Sequence, residues 1–336
     1  MLPPDPDSFL PAALEPEDQS AIGDLDNEVE ADLDMDLFEP ILVSRASVAV
    51  NPPGFPPIFQ YSQDNLQAYT VCARRFQLRH LVRQAWPEPV TGAIDELEDE
   101  LQIGDHFHRL VERHSLGIVV PPPIDTPLAD WWQAFLHHPP RDLPTDPLIR
   151  KVEAFYSVPF GGRRLVAKFD LLAIVPGERV VIVDWKTSSR PPDRQLLAER
   201  WQTAVYLYVA AEALTREYGG ALPPASISLI YWFAAAPDQP IIFQHSTADH
   251  ERYRARLNQI TDAIESRVAA GEMIWPLTDR IDRCQTCTFR VLCDRTATSV
   301  SDRSASAIMG DALPDLDEEP ITLDNAFFDD TAEVEL

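Results

Sequence analysis

Four β-branched residues in succession, Val180-Val181-Ile182-Val183, run directly into Asp184-Trp185-Lys186-Thr187, and this junction constrains the fold more than any other stretch. A strand with no polar side has to be covered on both faces, as inner strands of α/β sheets are. Its polar end then sits at the rim of the core. Asp184 and Lys186 are two residues apart and so project from the same face. Taken alone, the pair also fits an ordinary ion pair at a strand end.

The neighbouring sequence supplies the rest of a sheet. Residues 151–159, 165–175 and 179–185 are β-branched or alternating runs separated by Gly161-Gly162 and Pro176-Gly177, which mark turns, so an antiparallel meander is expected. Ahead of it, Ser62 is an N-cap for a helix with Leu66, Tyr69 and Phe76 on its apolar face and Arg74, Arg75, Arg79 and Arg83 along a basic stripe. That stripe suits tracking phosphates or a solvated face equally. A second helix is expected over 94–114, with Leu97, Leu101, Leu110 and Val111 inward and Gly104 permitting close approach of another backbone. Residues 118–147 read as a loop with one short helix. A long amphipathic helix over 193–218, strands at 226–233 and 241–244, and a helix over 248–270 follow. The order predicts an α/β fold, a mixed β-sheet flanked by helices in one domain. No G-x-x-x-x-G-K-[ST] or G-x-G-x-x-G occurs, so neither a P-loop motor nor a dinucleotide fold has support.

Charge divides the chain. Its net charge of -26 comes mostly from the ends: residues 1–40 hold 13 acidic and no basic residues, and 301–336 hold 11 acidic residues against Arg303. Acidic, Pro-rich ends cannot bury enough apolar surface to order themselves, so 1–57 and 298–336 are expected as disordered tails around a domain at 58–297. No stretch approaches the ~18 apolar residues that span a bilayer. The first residues, Met1-Leu2-Pro3-Pro4-Asp5, do not form a secretory signal, so a soluble cytoplasmic protein without membrane contact is expected. In that compartment the four cysteines point to metal rather than disulfides; three are spaced Cys284-x2-Cys287-x5-Cys293 and the fourth, Cys72, lies far upstream.

Asp170, in an apolar strand next to the Asp184 strand, adds a second carboxylate. Two carboxylates beside an ammonium suit phosphodiester hydrolysis with Mg2+ or Mn2+, hard cations that prefer oxygen ligands. Lys186 is one of only three lysines against 25 arginines. A compact ammonium that can exchange its proton is what orienting water and stabilising transition-state charge require, and arginine cannot supply it.

Read in order, Gly104-x3-His108, Phe169-Asp170, Asp184-Trp185-Lys186-Thr187 and Gln202-x3-Tyr206 resemble the PD-(D/E)XK nuclease superfamily in its RecB-like branch, which includes CRISPR-associated RecB-type exonucleases and helicase–nuclease subunits. The resemblance implies a restriction-endonuclease-like fold. It implies His108, Asp170, Asp184 and the main-chain carbonyl of Trp185 as metal ligands, Lys186 as the catalytic lysine, and Gln202 and Tyr206 as substrate contacts or braces for Lys186. His106 has the wrong spacing and is expected at the surface. Iron–sulfur members of the branch place one cysteine in the first helix and three near the C-terminus. The resemblance thus implies a 4Fe–4S cluster on Cys72, Cys284, Cys287 and Cys293, with Zn2+ as the alternative occupant.

The activity expected is a metal-dependent deoxyribonuclease, a single-strand exonuclease of DNA repair, recombination or CRISPR adaptation. Its expected partners are DNA ends or single strands and a helicase, repair or CRISPR protein. The alternative is a non-catalytic iron–sulfur DNA-binding or scaffold subunit of a repair complex.

Overall fold

The computed structural model describes residues 52–84, 92–144, 149–188, 190–285 and 287–295, with the backbone alone over 92–101. The apolar run falls in β4 (Arg179–Lys186), where every residue after Arg179 is buried. On one side β4 pairs antiparallel with β3 (Arg163–Val175), and on the other parallel with β5 (Ile227–Phe233), which pairs antiparallel with β6 (Ile241–Gln244). β2 (Ile149–Phe160) runs antiparallel along one edge of β3. The other edge of β3 is shared: the short parallel β1 (Gln60–Tyr61) meets it at Arg164–Leu165, and β4 meets it from Leu171 onward. The result is a six-stranded mixed sheet. It is the α/β, restriction-endonuclease-like architecture expected from the sequence.

Helices cover both faces. On one lie α1 (Gln63–Val71), α6 (Trp201–Glu217) and α7 (Thr247–Ala269), packed over Leu165, Phe169, Leu172, Ile182 and Leu229. On the other, α3 (Gly92–Ser115) and α4 (Leu128–His137) bring Phe107, Val111 and Trp132 against Val181, Val183, Trp185 and Trp232. A core on each face is what an unbroken Val-Val-Ile-Val strand demands. Among the described residues no helix is long and apolar enough to cross a membrane.

Several local expectations are corrected. The first helix is not continuous. Cys72 takes an extended conformation (φ -164°, ψ 118°) between α1 and α2 (Ala73–Phe76), and a π-helical turn, Gln77–Leu81, follows. The four arginines do not form one free stripe: Arg74 bonds Gln77, Arg79 pairs with Asp64 at 3.6 Å, and Arg83 lies past the π-helical turn at φ 52°. The helix expected over 193–218 breaks at Arg200 into α5 (Arg194–Glu199) and α6. Nor is it amphipathic, since Trp201 through Ala211 are all buried between the sheet, α1 and α7. Gly104 admits a side chain rather than a backbone: a Cβ there would stand 3.1 Å from Thr187 Oγ1. Packing starts ahead of residue 58, because the Phe55 ring lies tilted against Phe59 (centroids 4.8 Å apart) with the Arg163 guanidinium 3.6 Å over it. Residues 1–51 and 296–336, and the side chains of Leu97 and Leu101, lie outside the described residues.

The C-terminal segment is fastened by one buried glutamine. Gln77 Nε2 donates to the carbonyls of Glu272 (3.3 Å) and Met273 (3.1 Å), and its Oε1 accepts the Trp275 N–H at 3.0 Å. The indole of Trp275 stacks on Phe76, with ring centroids 5.6 Å apart.

Candidate active site and cysteine pocket

The site forms where β3 and β4 part. Their last paired residues are Leu171 and Val183; beyond them β4 stays on β5, with Asp184 opposite Tyr231. In the opening, Asp170 Oδ2 accepts the Trp185 N–H at 2.8 Å, replacing a main-chain acceptor. The alternation of β3 changes phase here: Phe169 points into one core and Leu171 into the other. β2 changes phase at the facing residue, Glu153, whose φ of 51° is left-handed. A carboxylate at such a switch is reachable from both faces of the sheet. From the α3 face, His108 Nδ1 lies 3.5 Å from Asp170 Oδ2.

Asp184 and Lys186 face α6, as strand alternation requires. Lys186 Nζ is 3.1 Å from Asp184 Oδ2, both side chains being under 5% exposed, and the ammonium lies 5.7 Å from the Tyr231 ring centroid. Gln202 Nε2 donates to Asp184 Oδ1 at 2.9 Å and reaches Tyr206 OH at 3.4 Å. Gln202 therefore braces Asp184, with Tyr206 bonded to Gln202 behind it. His106 is exposed.

Electrostatics follow from burial. Burial pushes the His108 pKa down, but the Asp170 carboxylate, with Asp184 behind it, outweighs this and lifts it to about 9. Burial works against ionisation of Asp170 too, yet His108 and the Trp185 N–H hold its pKa below the usual value. Asp184 is pushed up to about 6 by burial, which Lys186 only partly offsets.

One residue escaped the sequence reading. Ligand atoms of His108, Glu153 and Asp170 lie within 4.8 Å of one another, and Asp184 is not in that group. Glu153 reads in sequence as an ordinary polar position of an alternating strand; only the phase change brings it to the site. Burial and the neighbouring Asp170 raise the Glu153 pKa. The His108 Nε2 is buried without a hydrogen-bond partner, as is Gln202 Oε1. Two carboxylates and an imidazole crowded at this spacing can hold a divalent cation, and the hard carboxylate oxygens suit Mg2+ or Mn2+.

The four cysteines line one pocket with Val71, Arg75, Leu277, Phe289 and Arg290. Cys72 comes from the α1–α2 break, and the other three from the two short 3-10 turns around Ile281–Cys284 and Val291–Cys293. Burial, and then Cys287, raise the thiol pKa of both Cys284 and Cys293. Four sulfur donors lining one pocket are a set that fits a metal centre. Arg75, expected on a stripe that either tracks phosphates or faces solvent, lines this pocket.

Residues 129–294 match the PD-(D/E)XK nuclease superfamily. Among solved structures, a candidate exonuclease from Eubacterium rectale is similar at 11% identity and a TM-score of 0.44, over 75% of this chain and 93% of its own. The protein SSO0001 is similar at 15% identity and a TM-score of 0.26, over 44% of this chain and 61% of its own. No curated protein matches the chain.

Proposed function

We propose that this chain, residues 129–294 of which match the PD-(D/E)XK nuclease superfamily, is a metal-dependent deoxyribonuclease that works as an exonuclease on single-stranded ends in DNA repair, recombination or CRISPR adaptation. The observation that carries this is the meeting of His108, Asp170, Asp184 and Lys186 where β3 and β4 part. His108, Glu153 and Asp170 would hold Mg2+ or Mn2+, with Asp184 and the Trp185 carbonyl completing the ligands. A bound divalent ion supplies Lewis acidity toward the phosphate and a more acidic water. The protein's own groups supply the rest. Lys186, fixed against Asp184, places positive charge where the transition state gathers negative charge and can pass a proton to or from the attacking water. Gln202 and Tyr206 keep Asp184 turned toward the opening. A scaffold subunit would have no need of this intact set.

Cys72, Cys284, Cys287 and Cys293 would hold a 4Fe–4S cluster, with Zn2+ as the competing occupant, joining the start of the domain to its end. The cluster reading rests on the resemblance of the cysteine spacing to the iron–sulfur members of the branch. A helicase or another repair or CRISPR protein would provide any unwinding.

The test is degradation of labelled single- and double-stranded DNA by anaerobically purified protein with Mg2+ or Mn2+, beside Lys186→Ala and Asp184→Ala. Both variants should lose activity by at least a hundredfold; cleavage at the wild-type rate removes the assigned site. A brown protein that loses its colour in Cys287→Ser supports the cluster, and a colourless protein with stoichiometric zinc refutes it.

A further inference from the structure

Each of the chain's three lysines is paired with a carboxylate: Lys151 with Glu217, Lys186 with Asp184, and Lys168 with Glu153. The last pair stands out because Glu153 is also one of the three groups gathered around the candidate metal position. Its backbone is left-handed, at φ 51°, across from Asp170 in the β2–β3 register, while Lys168 sits two rungs further along, across from Phe155. Lys168 is 44% exposed. Its ammonium therefore touches a metal-site carboxylate while remaining accessible to an anion from solution.

An ammonium and a divalent cation make opposite demands on one carboxylate. While Lys168 neutralises Glu153, it lowers the negative potential that draws an ion in, and it repels that ion directly. An incoming phosphodiester reverses the balance: its charge offsets the ammonium, and lysine is a suitable point-charge partner for phosphate. We propose that Lys168 is a positioning residue that holds Glu153 and competes with the divalent ion for it, so that the ion binds weakly alone and more tightly once DNA phosphate engages Lys168. The inference rests on the nuclease reading for the identity of the anion, but its effect on ion affinity does not require cleavage.

The experiment is a Mn2+ binding isotherm, by calorimetry and by electron paramagnetic resonance. It uses the full chain with and without a phosphorothioate oligothymidine, for wild type, Lys168→Gln and Lys168→Arg. Removing a unit charge one carboxylate away from a divalent ion, in a largely water-like dielectric, should tighten Mn2+ binding on the order of tenfold. Without DNA, Lys168→Gln should thus bind Mn2+ about tenfold more tightly than wild type, and Lys168→Arg should resemble wild type. The oligonucleotide should tighten Mn2+ binding in wild type and have a much smaller effect in Lys168→Gln. Unchanged or weaker Mn2+ binding by Lys168→Gln, in a variant whose circular dichroism matches wild type, overturns the inference. So does a wild-type protein that takes up no Mn2+. Tightening in Lys168→Gln without any DNA cleavage by wild type supports the role of Lys168 while removing the nuclease reading.

Discussion

Gly104→Ala separates a helix's local preference from the fit of the site it carries. In a helix interior, alanine is favoured over glycine by roughly 0.5–1 kcal/mol. At this position the added Cβ would stand 3.1 Å from Thr187 Oγ1, closer than ordinary van der Waals contact. Thr187 is 6% exposed and directly follows Lys186, so it has little room to withdraw. Crowding of this kind costs about 1–3 kcal/mol, leaving a net loss of about 1 kcal/mol. The larger effect should be on geometry. If α3 retreats by a few tenths of an ångström, His108, one turn on, moves away from Asp170, from which it is already 3.5 Å distant. Misplacement by a full ångström can cost about a hundredfold in rate, so about a tenfold loss is expected. The assay pairs Mn2+-dependent cleavage of labelled single-stranded DNA with thermal denaturation. A Gly104→Ala protein that is fully active and about 1 kcal/mol more stable would refute the close approach.

Gln202→Leu should remove the donor to a buried carboxylate, costing about 1–3 kcal/mol in denaturant unfolding and lowering cleavage further than stability explains; unchanged stability would dismiss the bracing role. Gln77→Leu strands the Trp275 N–H and the acceptors at Glu272 and Met273, so roughly 3 kcal/mol should be lost and proteolysis after residue 270 should accelerate. His245 is 3% exposed, and burial, with His250 beside it, lowers its pKa to about 4. The unfolded chain takes up this proton near pH 6.5 and the folded chain does not until about pH 4. Stability should therefore fall by up to about 3 kcal/mol as pH drops through that window. His245→Gln should flatten this part of the pH–stability curve.

Much of the site was legible because strand periodicity is rigid. Asp184 and Lys186 are two apart after an apolar run, so their shared face followed directly, and the meander placed Asp170 on the next strand. The parts that were not legible depend on breaks in periodicity. Cys72 and Arg200 interrupt helices in extended conformations without any glycine or proline at the break, so the local sequence carries no stop signal there. The phase change at Glu153 and Asp170 leaves no mark in composition, so nothing in the sequence singled Glu153 out. Arg75 resembled its neighbours on a helical wheel until the break at Cys72 turned it toward the thiols.

The side-chain amide of Gln77 is bound on both its nitrogen and its oxygen to the strand of chain that leads into Cys284. Those bonds involve no sulfur, so this tether is independent of whatever the thiols carry. Stripping the proposed cysteine-bound metal with a chelator should therefore leave the segment around Trp275 docked, ready for reversible reloading, rather than an unravelled terminus.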